Sequence, residues 1–368
     1  MNVISIVMAV FAVLGALDLI TGNHIGIGGE FERGVKMLGM LSLTMLGMLV
    51  LAPLIAHLLF PPLSAIASVL PLEPSVVISS LLANDMGAAS VALEFASSQQ
   101  IGYFNGLVVA SMMGATVSFT LPFALKATEK EQQSSLLLGM LCGICTIPLG
   151  CFAAGLLAKI HIVTLLLDLI PLLLFAALLT FGLLKFPRQS AKIFKAFGVL
   201  VQALITFGLA VGIFEYLTGW DVVPYTAPIE EGAMIVFNVA AVEAGAFPLV
   251  FLLSKALGKP LRKLGKQVGI NETSAIGFVS TLATNVTTFG VMKDMDEKGV
   301  VLNSAFAVSA AFTFADHLAF TLSFREEYLL CMIVGKLLAG VLAVALAAVI
   351  YERRNRKTAQ EKEIPKTA

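Results

Sequence analysis

The chain has 368 residues, 58% of them hydrophobic and 13% charged, with 24 Lys and Arg against 24 Asp and Glu. Soluble domains carry about 25% charged residues, and apolar windows of about 20 residues recur here from end to end. With a mean hydropathy of +0.92, a soluble domain is excluded and an all-α polytopic membrane protein is expected. Zero net charge says nothing about partners, because topology is written in the asymmetry between loops.

The first apolar stretch, 2–20, lacks a basic leader and a small-residue cleavage site, so it is expected to be retained as the first membrane helix. Stretches 34–60, 104–126, 134–158, 162–186, 193–218, 232–256, 301–322 and 328–351 are each long enough to cross. Two more, 75–97 and 272–293, are apolar but interrupted by polar residues and glycine. The basic loops decide how these two run. If each enters and leaves on one side, the loop from Lys185 to Lys195, the loop from Lys255 to Lys266 and the tail from Arg353 to Lys366 all fall on the cytoplasmic side. The acidic connections around Asp221, Glu230 and Glu231 then face out. The expectation is about nine crossings and two re-entrant hairpins, the N-terminus outside and the C-terminus in the cytoplasm. The alternative is ten or eleven full transmembrane helices.

A weak repeat runs through the chain at an offset of about 195 to 201 residues: Phe31-Glu32-Arg33-Gly34 with Ile229-Glu230-Glu231-Gly232, Ala52-Pro53-Leu54 with Phe247-Pro248-Leu249, and Asn84 with Asn285. It divides the chain into a first membrane repeat at 1–160, a linker helix at 161–190 and a second, inverted repeat at 191–351. A polar tail at 352–368 is expected to be disordered. Inverted repeats with interrupted helices meeting at the midplane are a recurring transporter plan.

The polar interruptions are the candidate chemistry. Asn84, Asp85 and Gly87 sit between apolar arms half the length of a crossing, and a carboxylate at that depth costs a few kcal/mol unless a cavity or partner receives it. The second hairpin offers Thr284, Asn285, Thr287 and Thr288. Carbonyls of unwound helix ends together with a carboxylate suit a cation carrying N–H donors. The third constellation is Thr313-Phe314-Ala315-Asp316-His317, read as lying deep in helix 301–322; adjacent helical residues point about 100° apart, so Asp316 and His317 cannot share a face. Asp316 is the second expected cation-facing carboxylate. Other charges in apolar stretches are Asp18, His57, Glu94, Asp168, Glu215, Glu243 and Lys336, of which Lys336 needs an acidic partner. Cys142-x-x-Cys145 reads as apolar packing rather than a metal or redox site. No phosphate-binding loop, metalloprotease helix or nucleophile elbow is present, which disfavours ATP-driven work and enzymatic chemistry; no metal or cofactor is expected. No basic, aromatic-interleaved face for nucleic acid is present either.

The segments GGEFERGVKMLGMLSL, LAPLIAHLL, LLANDMGAASVALEFA, TLATNVTTFGVMKDMDEKGVVLNSAFAVSAAFTFADHLAF and MIVGKLLAG resemble the EutH family of ethanolamine-utilisation transporters. The resemblance covers residues 28 to about 345. It implies a permease of the bacterial inner membrane that admits ethanolamine for breakdown, with a functional link to an ethanolamine-degrading microcompartment, and a facilitator rather than an accumulating pump. Glu32, Asp85, Glu94, Asn285, Asp316 and His317 fall in family-like blocks. This chain departs in carrying Arg33 where the family tends to have an acid, and no role is carried onto that position.

The expected substrate-binding set is therefore Asn84, Asp85, Asn285, Thr287, Asp316 and His317, with Glu32, Glu94, Phe289 and Phe314 as secondary candidates. The expected partners are ethanolamine and the lipid bilayer, with a homo-oligomer allowed. Rival readings are an ion-coupled (Na⁺ or H⁺) transporter of a small amine, or a membrane scaffold or receptor for the ethanolamine-utilisation machinery.

Overall fold

A computed structural model of the chain describes residues 3–69 and 73–363. Every element among them is helical, and eight helical stretches are long and apolar enough to cross a membrane. That is what backbone satisfaction in hydrocarbon demands.

Helix α1 is Val3–Ile20. Asp18 near its end accepts the backbone N–H groups of Ile25, Gly26 and Gly28 at 2.9, 3.0 and 2.9 Å, which fixes the loop into α2. Helix α2 is one rod built of Ile27–Leu41, a π-helical turn at Ser42–Leu46, and Gly47–Val69. It is followed by two short arms, α3 (Pro74–Leu81) and α4 (Ala88–Phe95). Then come α5 (Gln99–Ala127), which carries long π-helical segments, α6 (Gln133–Leu157), α7 (Ile162–Lys185), α8 (Pro187–Thr218) and α9 (Ile229–Val268). A second pair of short arms, α10 (Glu272–Ala283) and α11 (Asn285–Gly290), precedes α12 (Glu297–Ala310), α13 (Asp316–Arg325) and α14 (Leu329–Glu363).

Arms of 8 residues rise about 12 Å and cannot span a bilayer. Both pairs turn back, and hydrogen bonds close their bases. In the first hairpin the Ser97 N–H and the Ser75 hydroxyl both donate to Glu73 Oε1, at 3.2 and 2.9 Å. In the second, Asp296 Oδ1 accepts from Asn271 N–H at 2.8 Å and from the Ser274 hydroxyl at 2.7 Å. The two bases lie at opposite ends of α6: Gln100 beside the first donates to the Ala158 carbonyl at 3.0 Å, while Ser135 donates to Glu297 beside the second at 3.3 Å. A helix of 25 residues separates them, about 37 Å. The hairpins therefore enter the bundle from opposite ends and their tips approach in the middle.

Equivalent contacts recur at the offset noted above. Buried Asn105 donates to Ser75 in the first hairpin and buried Asn303 to the Ser274 carbonyl in the second, both at 2.9 Å. As Asp18 does for its loop, Glu215 organises the loop after α8, accepting from Val222 and Val223 N–H and the Thr226 hydroxyl. Helices cross where small residues allow it: a Cβ on Gly47 would collide with the Ile205 carbonyl of α8, and one on Gly208 with the Gly47 carbonyl.

Three expectations need correction. The continuous helix expected over 301–322 is broken: α12 stops at Ala310 and α13 begins at Asp316. The carbonyls at the end of α10 lack intrahelical partners, and the N–H groups of Phe312 and Phe314 fill them by bonding to Thr281 and Leu282 at 3.2 and 2.9 Å. Asp316 and His317 thus stand at a helix start, not mid-helix. The Lys255–Lys266 stretch is not a separate connector but the end of the 40-residue α9. The tail expected to be disordered is helical through Glu363, and 364–368 lie outside the described residues.

Candidate substrate pocket

The first half of α2 has its apolar residues on one side and Glu32, Arg33 and Lys36 on another. The charged side faces the two hairpin tips and the break before α13, and a cavity of about 580 Å³ lies between them. Its walls include Asp85 from the first tip, Thr284 and Thr287 from the second, Asp316 and His317 from α13, and Phe119, Phe247 and Phe312.

At the first tip α3 ends at Leu81, Asn84–Met86 forms a single 3₁₀ turn, and Gly87, with φ +89°, starts α4. Only a residue without Cβ takes that φ cheaply, so the glycine is what lets the chain reverse beside Asp85. Asp85 is half-buried, its Oδ1 makes no hydrogen bond, and no ion pair claims it among the described residues. Asp316 and the fully buried Glu243 of α9 lie within electrostatic reach of Asp85 and of each other; Arg33 acts on Glu243 and Asp316, and Lys336 on Asp85. Asp85 and Asp316 on the cavity wall, with Glu243 buried within electrostatic reach of both, make a site for positive charge.

The cations nearby are engaged. Arg33 bonds Glu30 at 3.4 Å and stacks over Phe247 at 4.8 Å, and Lys36 pairs with Glu32 at 2.6 Å. Lys336 of α14, 1% exposed, donates to the Ser111 carbonyl at 2.6 Å and sits 3.0 Å from His317 Nδ1. That carbonyl belongs to the π-helical part of α5, where the α-helical ladder is interrupted. Phe312 has φ +62°, an outlier for an aromatic residue. Its backbone bond to Thr281 holds it there, and local strain of this kind gathers at functional sites.

The structure thus gathers Asp85, Thr287, Asp316 and His317, with Glu32 at the rim, around one cavity. It places the other expected residues elsewhere. Asn84 is buried behind the tip, with neither amide atom hydrogen-bonded. Asn285 turns from the cavity to donate to Thr120 at 3.0 Å, and Thr288 bonds Thr281 at 2.8 Å. Phe289 packs against Phe123 in the core, Phe314 lies half-buried against the same core, and Glu94 is exposed on α4. Phe119 and Phe312 supply the aromatic wall instead. Glu243 and Lys336 are visible in the sequence as charges in apolar helices, but nothing in the spacing assigns them to this pocket. Arg33, left without a role by the sequence, is on its wall.

Discontinuous helices entering from opposite ends, with a charged tip and a charged helix start around a central cavity, are the architecture of a membrane transport protein. The chain matches the family described as "Ethanolamine utilisation protein, EutH" over residues 1–350. It is 44% identical to the probable ethanolamine permease EutH of Listeria monocytogenes, covering 97% of this chain and 95% of that one. It is 38% identical to the protein of the same name from Salmonella typhimurium, covering 89% and 86%. The uncharacterized protein YxeR of Bacillus subtilis is 36% identical, covering 97% and 96%. No solved structure matches. The chain belongs to the EutH family, a multi-pass membrane family of permeases rather than enzymes.

Proposed function

We propose that this protein is a permease for protonated ethanolamine, carrying it down its gradient across the bacterial inner membrane into the cytoplasm. The observation that carries this reading is the pair of carboxylates, Asp85 and Asp316, held on the ends of interrupted helices around one cavity, with no ion pair among the described residues between either and a lysine or arginine. An ammonium group has three N–H donors and no acceptor, so it can bridge two carboxylates that would otherwise repel. The relatives' name supplies the substrate. Phe119 and Phe312 offer ring faces to the cation, an attraction of up to about 2 kcal/mol when water is excluded.

The basic loops and tail support an N-terminus outside and a C-terminus in the cytoplasm, which makes the Arg33 and Lys36 rim the inner mouth. The two-fold inverted plan, with 161–190 as linker, and delivery of substrate to an ethanolamine-degrading microcompartment belong to the same proposal. A second reading has one direct support: Asp85, Asp316 and Glu243 are more carboxylates than one ammonium needs, which suits a co-transported H⁺ or Na⁺.

The test is uptake of labelled ethanolamine into proteoliposomes holding only this protein, at low pH, with and without ion gradients. Facilitation predicts equilibration without accumulation, and its loss in Asp85→Asn. Accumulation that an ionophore collapses would replace it with the ion-coupled reading.

A further inference from the structure

Lys336 and His317 form a buried unit that the carboxylate site does not explain. Lys336 Nζ is fixed by the Ser111 carbonyl on one side and sits 3.0 Å from His317 Nδ1 on the other, with Asp85 within electrostatic reach. An ammonium group can only donate. In a charged Lys336 beside Asp85, therefore, Nδ1 is the acceptor, and the proton of a neutral imidazole must reside on Nε2. Phe312, its ring centroid 5.2 Å from that of His317, limits how the imidazole can turn. His317 is 2% exposed and lines the cavity, so with Nδ1 committed to Lys336 its remaining edge offers an N–H.

We infer that Lys336 is a positioning residue that holds His317 as an N–H donor, and that this donor reads the hydroxyl oxygen of the substrate, selecting amino alcohols over alkylamines of the same size. The inference rests on the proposed carriage of ethanolamine and assigns the opposite end of that substrate. Asp85 and Asp316 accept from the ammonium end. The hydroxyl oxygen accepts from a donor on the wall; Arg33 and Lys36 are paired with Glu30 and Glu32, and beside the neutral Thr284 and Thr287 hydroxyls the imidazole N–H is the donor that a fixed partner orients. An alkylamine in the same pose leaves the buried donor unpaired, which is how hydrogen-bonding sites reject analogues lacking the polar group.

The experiment compares ethanolamine with n-propylamine, in which methyl replaces hydroxyl, as competitors of labelled ethanolamine uptake in proteoliposomes. The wild type should prefer ethanolamine at least ~10-fold. His317→Phe and Lys336→Met should bring the ratio toward one, and His317→Gln, whose amide can donate from the same region, should keep most of the preference. Preference unchanged in His317→Phe would overturn the inference.

A second measurement does not depend on transport. The chain has 4 histidines, so imidazole ¹⁵N spectra of selectively labelled protein can be assigned by comparison with His317→Gln. A protonated Nε2 and a bare, hydrogen-bonded Nδ1 are expected. A proton on Nδ1, as when a neutral Lys336 accepts, would overturn the assignment even if ethanolamine is carried. Absence of any amine uptake would count against the proposed function, while the spectrum still judges the tautomer.

Discussion

The two hairpins share a frame and differ in chemistry. Each has short helical arms, a base closed by an acidic side chain, and a buried Asn–Ser contact from the following helix. Yet the first tip carries Asp85 on a left-handed glycine turn, while the second is uncharged and pins its Asn285 to Thr120. The negative charge of the second half sits on the broken helix beside it, at Asp316. Two similar frames deliver two breaks to the middle of the bundle; the residues that differ between them decide where charge is placed. The frame is about backbone satisfaction, the site about where the two hairpins differ.

Charge at the tip is what most separates the two hairpins, and removing it from the first is the most damaging change. Asp85→Asn is expected to lower the uptake rate of labelled ethanolamine at least ~30-fold, as a lost buried charge partner costs about 2 kcal/mol or more. Membrane expression should persist, since no structural ion pair is broken. Uptake at the wild-type rate would remove Asp85 from the site.

Next in size is the contrast in turn geometry. Gly87→Ala forces a Cβ into a left-handed conformation 3.1 Å from that of Met48, a strain of about 1–2 kcal/mol. Gly290→Ala at the end of the second hairpin meets nothing within 4 Å and should be neutral. Thermal denaturation in detergent reads both; equal losses would mean that the tips are not built differently.

Thr287→Val removes a cavity-facing hydroxyl at nearly constant volume. A lost hydrogen bond of about 1 kcal/mol raises KM roughly fivefold and leaves stability unchanged. Asn285→Ala should do the opposite, because its amide serves Thr120 and not the cavity. A double-mutant cycle with Thr120→Ala is expected to give a coupling near 0.6 kcal/mol, with uptake within twofold of wild type. An uptake defect larger than the stability defect would move Asn285 into the site.

Most of the frame is legible in the sequence, because apolar length and polar interruption are local signals. The Asn84-Asp85-x-Gly87 break announces itself by two polar side chains at membrane depth followed by a glycine that can turn the chain. The break at 311–315 does not: the stretch contains neither Gly nor Pro, and it arises because the spent end of α10 presents carbonyls that Phe312 and Phe314 satisfy. That is a tertiary effect with no local signature. The same limit separates Asp85, placed by its own turn, from Glu243 and Lys336, which are buried beside the pocket's lining residues only through helix packing. It also explains why Phe119 and Phe312, rather than Phe289 and Phe314, form the aromatic wall: which side of an irregular helix faces inward follows from neighbours and not from periodicity.

The backbone bonds from Phe312 and Phe314 to the end of α10 splice α13 onto the second hairpin. Asp316 is therefore tied to that hairpin, whereas Asp85 sits on the tip of the other. Any rocking of one hairpin past the other would change the gap between two like charges. Under the proposed function, a cation lodged in that gap is a removable clasp, and its departure leaves a repulsion that further separation, a proton or a new guest relieves.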